Sequence, residues 1–96
     1  MNYGENLNTN NPNVAAACRE MGIQVGDTIL GRDADASGQS WHEARLTLMW
    51  LGECVAVWRE QTRCNWRPEW TAPEESANWT LEFRTWQKVA GAQAGL

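Results

Sequence analysis

Leu46-Thr47-Leu48-Met49-Trp50-Leu51, then Gly52-Glu53, then Cys54-Val55-Ala56-Val57-Trp58 is the stretch that decides the fold. Two runs of strand-forming residues flank a two-residue connection with glycine first, the chemistry of a type II′ hairpin whose twist matches its strands. That turn sets Leu51 opposite Cys54, and each further pair steps outward by one. Leu46, Leu48, Trp50, Val55 and Val57 then share one face. Thr47, Met49, Leu51, Cys54, Ala56 and Trp58 share the other, and Arg45 comes opposite Glu60 as a cross-strand ion pair. Both faces of the ribbon are apolar, so each needs a cover.

Working outward, Val14, Ala17, Cys18 and Met21 recur at helical spacing after Asn13, an N-cap residue. Gly22 ends this short helix and Ile23 folds back on its apolar face. Thr28 to Leu30 begin a first strand, and Trp79 to Trp86 form a last one with Trp79, Leu81 and Phe83 inward. The helix covers one side of the ribbon. Closure of the sheet or a second copy of the chain covers the other. The expected fold is therefore mainly β: a small antiparallel β-barrel or curved sheet, SH3-like in scale, with one short N-terminal α-helix and homo-oligomerisation through the second apolar face. Residues 1–12, crowded with Asn, read as a flexible arm unless the core or a partner docks them; 13–89 form the single domain, and 90–96 a flexible tail.

The chain has 96 residues, enough for one modest core. No stretch approaches the ~20 apolar residues of a membrane span, and the first residues lack the pattern of a signal peptide. Cys18, Cys54 and Cys64 include no C-x-x-C pair and read as buried free thiols, with a Cys54–Cys64 disulfide or a metal site with His42 as alternatives. A net charge of −4 argues against non-specific binding to duplex nucleic acid. Seven of the eight cations are arginine, which stacks on aromatic rings and grips phosphate or carboxylate in a fork.

Asp33-Ala34-Asp35-Ala36-Ser37-Gly38 spaces oxygen ligands like the start of a calcium loop, but Ala44 stands where the bidentate Glu belongs. The competing reading is a polar turn bonded to its own backbone. His42 and Glu43 are neighbours, yet successive strand residues point to opposite faces and do not make an acid–base pair. No nucleophile, metalloprotease or phosphate-loop motif occurs, and no cofactor is implied.

Seven tryptophans against one Tyr and one Phe are the departure from ordinary composition. Trp50 and Trp79 read as core, and Trp58 and Trp86 as covered by the helix or a partner chain. Trp41, Trp66 and Trp70 lie in or beside loops, and the stretch from Thr62 to Asn78 is long for a structureless connection. Interleaved with them are Arg59, Arg63 and Arg67. Trp41, Arg59, Arg63, Trp66, Arg67 and Trp70 are the candidate ligand-binding set, because ring stacking plus a guanidinium fork holds a planar anion. The same residues could instead brace the loop by cation–π contacts, or pair with Glu60, Glu69, Glu74 and Glu75.

Gly26-Asp27-Thr28-Ile29, Arg45-Leu46-Thr47-Leu48-Met49-Trp50-Leu51-Gly52, Val55-Ala56-Val57-Trp58-Arg59, Pro68-Glu69-Trp70 and Asn78-Trp79-Thr80-Leu81, with Arg84, Trp86, Lys88 and Val89, carry a resemblance. The chain resembles a family of small tailed-bacteriophage accessory proteins with no assigned activity, so no residue role follows. The resemblance implies context: a non-enzymatic protein of the host cytoplasm that blunts host defence. Sequestration of a nucleotide-like signal on the Trp/Arg set is the expected function. The alternatives are direct inhibition of a host defence protein through an acidic, Trp-rich surface, and a structural role in the virion or its assembly.

Overall fold

The computed structural model describes residues 3–7, 12–78 and 85–89. In chain order these form β1 (Tyr3–Leu7), α1 (Val14–Met21), β2 (Thr28–Ala34), β3 (Trp41–Leu51), β4 (Ala56–Cys64), β5 (Glu74–Asn78) and β6 (Thr85–Val89). One antiparallel sheet takes all six strands in the order β1-β6-β2-β3-β4-β5. No described helix is long and apolar enough to cross a membrane.

The helix forms where its sequence signals lie. Asn13 Oδ1 accepts the Ala16 N–H at 3.1 Å, satisfying one of the unpaired donors of the first turn. Gly22 takes the left-handed conformation, with φ 74°, and the Ile23 N–H reaches back to the Cys18 carbonyl at 2.8 Å. Val14, Ala15, Ala17 and Cys18 are buried against the sheet. Two polar ties fix the helix in place. Arg19 Nη2 donates to the Gly52 carbonyl in the β3–β4 turn, and Lys88 Nζ on β6 sits 3.1 Å from Asp27 Oδ2 just past the helix.

Under the helix, the inner face of the sheet supplies Ile29, Ala44, Leu46, Leu48, Ala56, Trp58 and Trp86, which join Val14, Cys18 and Ile23 in one core cluster. Trp58 is fully buried at its centre. Gly31 pairs with Trp86, and the indole lies where a side chain on Gly31 would go: a Cβ there would stand 2.6 Å from a ring carbon.

Four expectations are corrected. The sheet is open, with β1 and β5 at opposite edges, and is not a barrel. The register along the ribbon also departs from the expected one. Leu48 pairs with Trp58 but Trp50 pairs with Val57, so a β-bulge at Met49 shifts the register and turns Leu51 inward and Trp50 outward. The turn spans Gly52 to Val55, closed by the Gly52 N–H on the Val55 carbonyl at 2.9 Å, and Leu51 faces Ala56 rather than Cys54. Trp50, expected in the core, is 56% exposed. Arg45 accordingly faces Gln61, and Glu60 faces Leu46.

The docked alternative for the N-terminal arm is what Tyr3–Leu7 adopts, as an edge strand on β6. The long connection is shorter than its sequence implies, because β4 runs to Cys64 and β5 starts at Glu74. Trp79, Leu81 and Phe83, and the tail 90–96, lie outside the described residues. Cys18 and Cys64 are buried but Cys54 is exposed. Cys54 precedes the start of β4 and Cys64 ends it, so the strand holds them roughly 25 Å or more apart at the usual rise, far beyond disulfide reach. Burial pushes the Cys18 thiol up to about 11 against the lowering pull of Arg19.

Replacing Gly31 with alanine is expected to lower stability by ~1–3 kcal/mol through forced displacement of the Trp86 ring. Urea denaturation checks this, as a lower midpoint at unchanged slope; an unchanged midpoint would place the indole elsewhere.

Candidate functional site

On the face of the sheet turned away from the helix, the strand period gathers a polar cluster beside the buried Thr28 and Leu30. Arg32, Glu43 and Arg63 are cross-strand neighbours on β2, β3 and β4, and Arg45 and Gln61 form the next pair along. Residues two apart share a face, so these side chains all project away from the helix. Glu43 is buried, at 4% exposure, and an unpaired carboxylate there would be costly. It is paired twice. Arg32 Nη1 donates to Oε2 at 2.8 Å and Arg63 Nε to Oε1 at 2.6 Å.

Two tryptophans pack onto these guanidinium groups. Arg32 and Arg63 lie over the Trp41 ring at 5.2 and 5.7 Å from its centre, and Arg63 and Arg45 over the Trp70 ring at 4.4 and 4.5 Å. The contacts run Arg32, Trp41, Arg63, Trp70, Arg45 without a break. Each is a cation–π contact of ~0.5–1 kcal/mol at partly exposed sites. Arg45 is further held by Gln61, whose Oε1 accepts from Nε at 3.1 Å and from Nη2 at 2.6 Å.

Trp70 reaches this face because the chain after β4 is pinned back onto it. A tight turn closes Cys64 on Arg67 by two backbone hydrogen bonds of 3.0 Å. The Thr71 N–H then donates to the Thr62 carbonyl at 3.0 Å, the Thr62 N–H donates to Thr71 Oγ1 at 3.0 Å, and Gln61 Nε2 donates to the Thr71 carbonyl. Trp41 is fixed by its backbone N–H on Asn65 Oδ1 at 3.1 Å.

Of the six residues singled out by sequence, Trp41, Arg63 and Trp70 come together here. Arg59 shares the face but stands further along β4, between Thr47 and Glu75 in register. Trp66 and Arg67 sit at the turn tip, with Trp66 74% exposed and Arg67 5.6 Å from its ring centre. Arg32, Glu43 and Arg45 were missed. Their signal was the alternation of charge at Glu43 and Arg45, and at Arg59, Gln61 and Arg63, which marks one polar face. Among the described strand residues, four arginines, Arg32, Arg45, Arg59 and Arg63, and two glutamates, Glu43 and Glu75, occupy this face, a basic surface on an acidic chain.

Elsewhere the candidate groups resolve into structure. Asp35 closes its loop as a polar turn, accepting from Ser37 Oγ at 2.8 Å and pairing its backbone N–H with the Ser40 carbonyl. The Ser37 hydroxyl and the surrounding backbone N–H groups hold the Asp35 carboxyl below its usual range. Among the described residues no group of three or more His, Cys, Asp or Glu side chains is placed to hold a metal ion. His42 is exposed on the helix side of the sheet, opposite in direction to Glu43. Compared with protein-family models, with curated proteins and with solved structures, the chain matches none.

Substituting Glu43 with glutamine is expected to destabilise the fold by ~1–3 kcal/mol, since two arginines lose a charged acceptor in a buried position. Trp66→Ala at the exposed tip is expected to stay within about 0.5 kcal/mol of the parent. Parallel denaturation curves check the contrast, and equal effects would contradict the placement of Glu43.

Proposed function

We propose that this chain is a non-catalytic binding protein whose outer Arg/Trp face captures a nucleotide-like anion. In the phage context implied by the sequence resemblance, that capture serves to sequester a host defence signal in the cytoplasm. The observation that carries the reading is the fixed row of guanidinium groups on an otherwise acidic protein. Arginine side chains ordinarily lose rotamer freedom when they bind. Here Glu43, Gln61 and the two rings already restrict them. Arg32 and Arg63 each give one N–H to Glu43 out of five donors, and at 47% and 32% side-chain exposure both remain reachable from solvent.

The rival, direct inhibition of a host protein, draws on the exposed indoles of Trp50 and Trp66. Hot-spot residues act as a cluster near the centre of an interface. Trp50 lies beside Val57 at the start of β4 and Trp66 just past its end, so they form no single patch, which favours the ligand reading. Self-association remains part of the proposal as an assembly of copies, although the second face on which it was expected carries arginine and tryptophan.

Native mass spectrometry of protein purified from its host, followed by thermal-shift titration with a nucleotide panel, tests the proposal. The expected result is a retained small anion, or stabilisation by at least one nucleotide that Arg63→Lys weakens by about tenfold. Absence of stabilisation by every nucleotide at saturating concentration would overturn it.

A further inference from the structure

The ladder also constrains how a ligand is recognised, if the proposed binding reading holds. Sequence-tolerant sites for nucleotides commonly seat the base on an aromatic ring. Here the rings of Trp41 and Trp70 are already partnered: each carries two guanidinium groups between 4.4 and 5.7 Å from its centre. A base stacking on the arginine-bearing side of either ring would have to displace groups that are themselves tied to Glu43 or Gln61. The protein's own arginines thus take up ring surface that a base would otherwise use.

What the face presents instead is a row of charged forks. Arg32 and Arg63 are linked through one carboxylate and one ring, and Arg63 and Arg45 through the other ring, so neighbouring guanidinium groups hold set positions. Arg59 continues the same face along β4. Planar guanidinium groups bind phosphate oxygens in pairs, and a row of them engages several linked phosphates better than one. We propose that the ligand class of this face is a chain of linked phosphates, recognised by its charge and spacing and with little regard to any attached base. A nucleoside triphosphate and inorganic tripolyphosphate share that chemistry.

Calorimetric titration of the full chain with tripolyphosphate, ATP, GTP and AMP, in metal-free buffer, separates the cases. Tripolyphosphate, ATP and GTP are expected to bind within about threefold of one another, and AMP at least about tenfold more weakly. Affinity is expected to fall about tenfold between roughly 50 and 200 mM salt, as for a few neutralised phosphates. Arg32→Gln is expected to weaken tripolyphosphate by about tenfold; Arg32 is half-exposed, and Arg63 still pairs Glu43 in the variant, so its unliganded melting temperature reports folding separately. A preference of more than tenfold between ATP and GTP, AMP binding as tightly as ATP, or indifference to Arg32→Gln would overturn this inference while leaving nucleotide capture standing. Binding by none of the four at millimolar concentration, with no other nucleotide bound, would overturn both.

Discussion

Glu43 holds the outer face together. Its carboxylate is buried on the side of the sheet that the helix does not cover, and Arg32 and Arg63 reach it from the strands on either side. A single-layer sheet must deal with its second face, and polar alternation is the usual solution. This protein adds a lid of its own side chains. The guanidinium groups that neutralise Glu43 also lie over the Trp41 and Trp70 rings, so charge pairing and ring packing support one another. Removing the carboxylate removes the point on which both arginines converge.

The inner face obeys a different rule. There the helix, built from small residues, lies close to Leu46, Leu48 and Trp58, and Trp86 fills the space left by Gly31. The bulge at Met49 joins the two regimes. By inserting one residue into β3 it keeps Leu48 and Leu51 on the helix side and sends Trp50 out. Without it, Trp50 would share the helix side with Leu48 and Leu51 would face away.

Much of the framework is legible in the residues themselves. Asn13 and Gly22 bracket the helix by capping chemistry, Asp35 to Gly38 form the self-bonded polar turn although Asp33 and Ala34 before it end β2, and strand alternation separates His42 from Glu43. Other features are not written locally. A bulge is a matter of pairing between strands, so the hairpin pattern counted its turn two residues too short and aimed Trp50 inward. Glu74-Glu75-Ser76-Ala77-Asn78 has no strand signal of its own and becomes β5 by pairing with β4. The candidate site was half visible: Trp41, Arg63 and Trp70 stood out as an aromatic and basic set. Glu43, their anchor, did not, because its partners come from two other strands and only the register brings them together.

Glu43, two rings and three arginines form one locked array on the face turned away from the helix. Nitrogen-detected NMR of the arginine side chains measures it most directly. The Arg63 Nε–H is expected to be protected from exchange at neutral pH and shifted by the Trp70 ring current, and Glu43→Gln to abolish both effects. Arg63 and Arg45 resonances at free-arginine positions with unprotected exchange, in a folded protein, would contradict it.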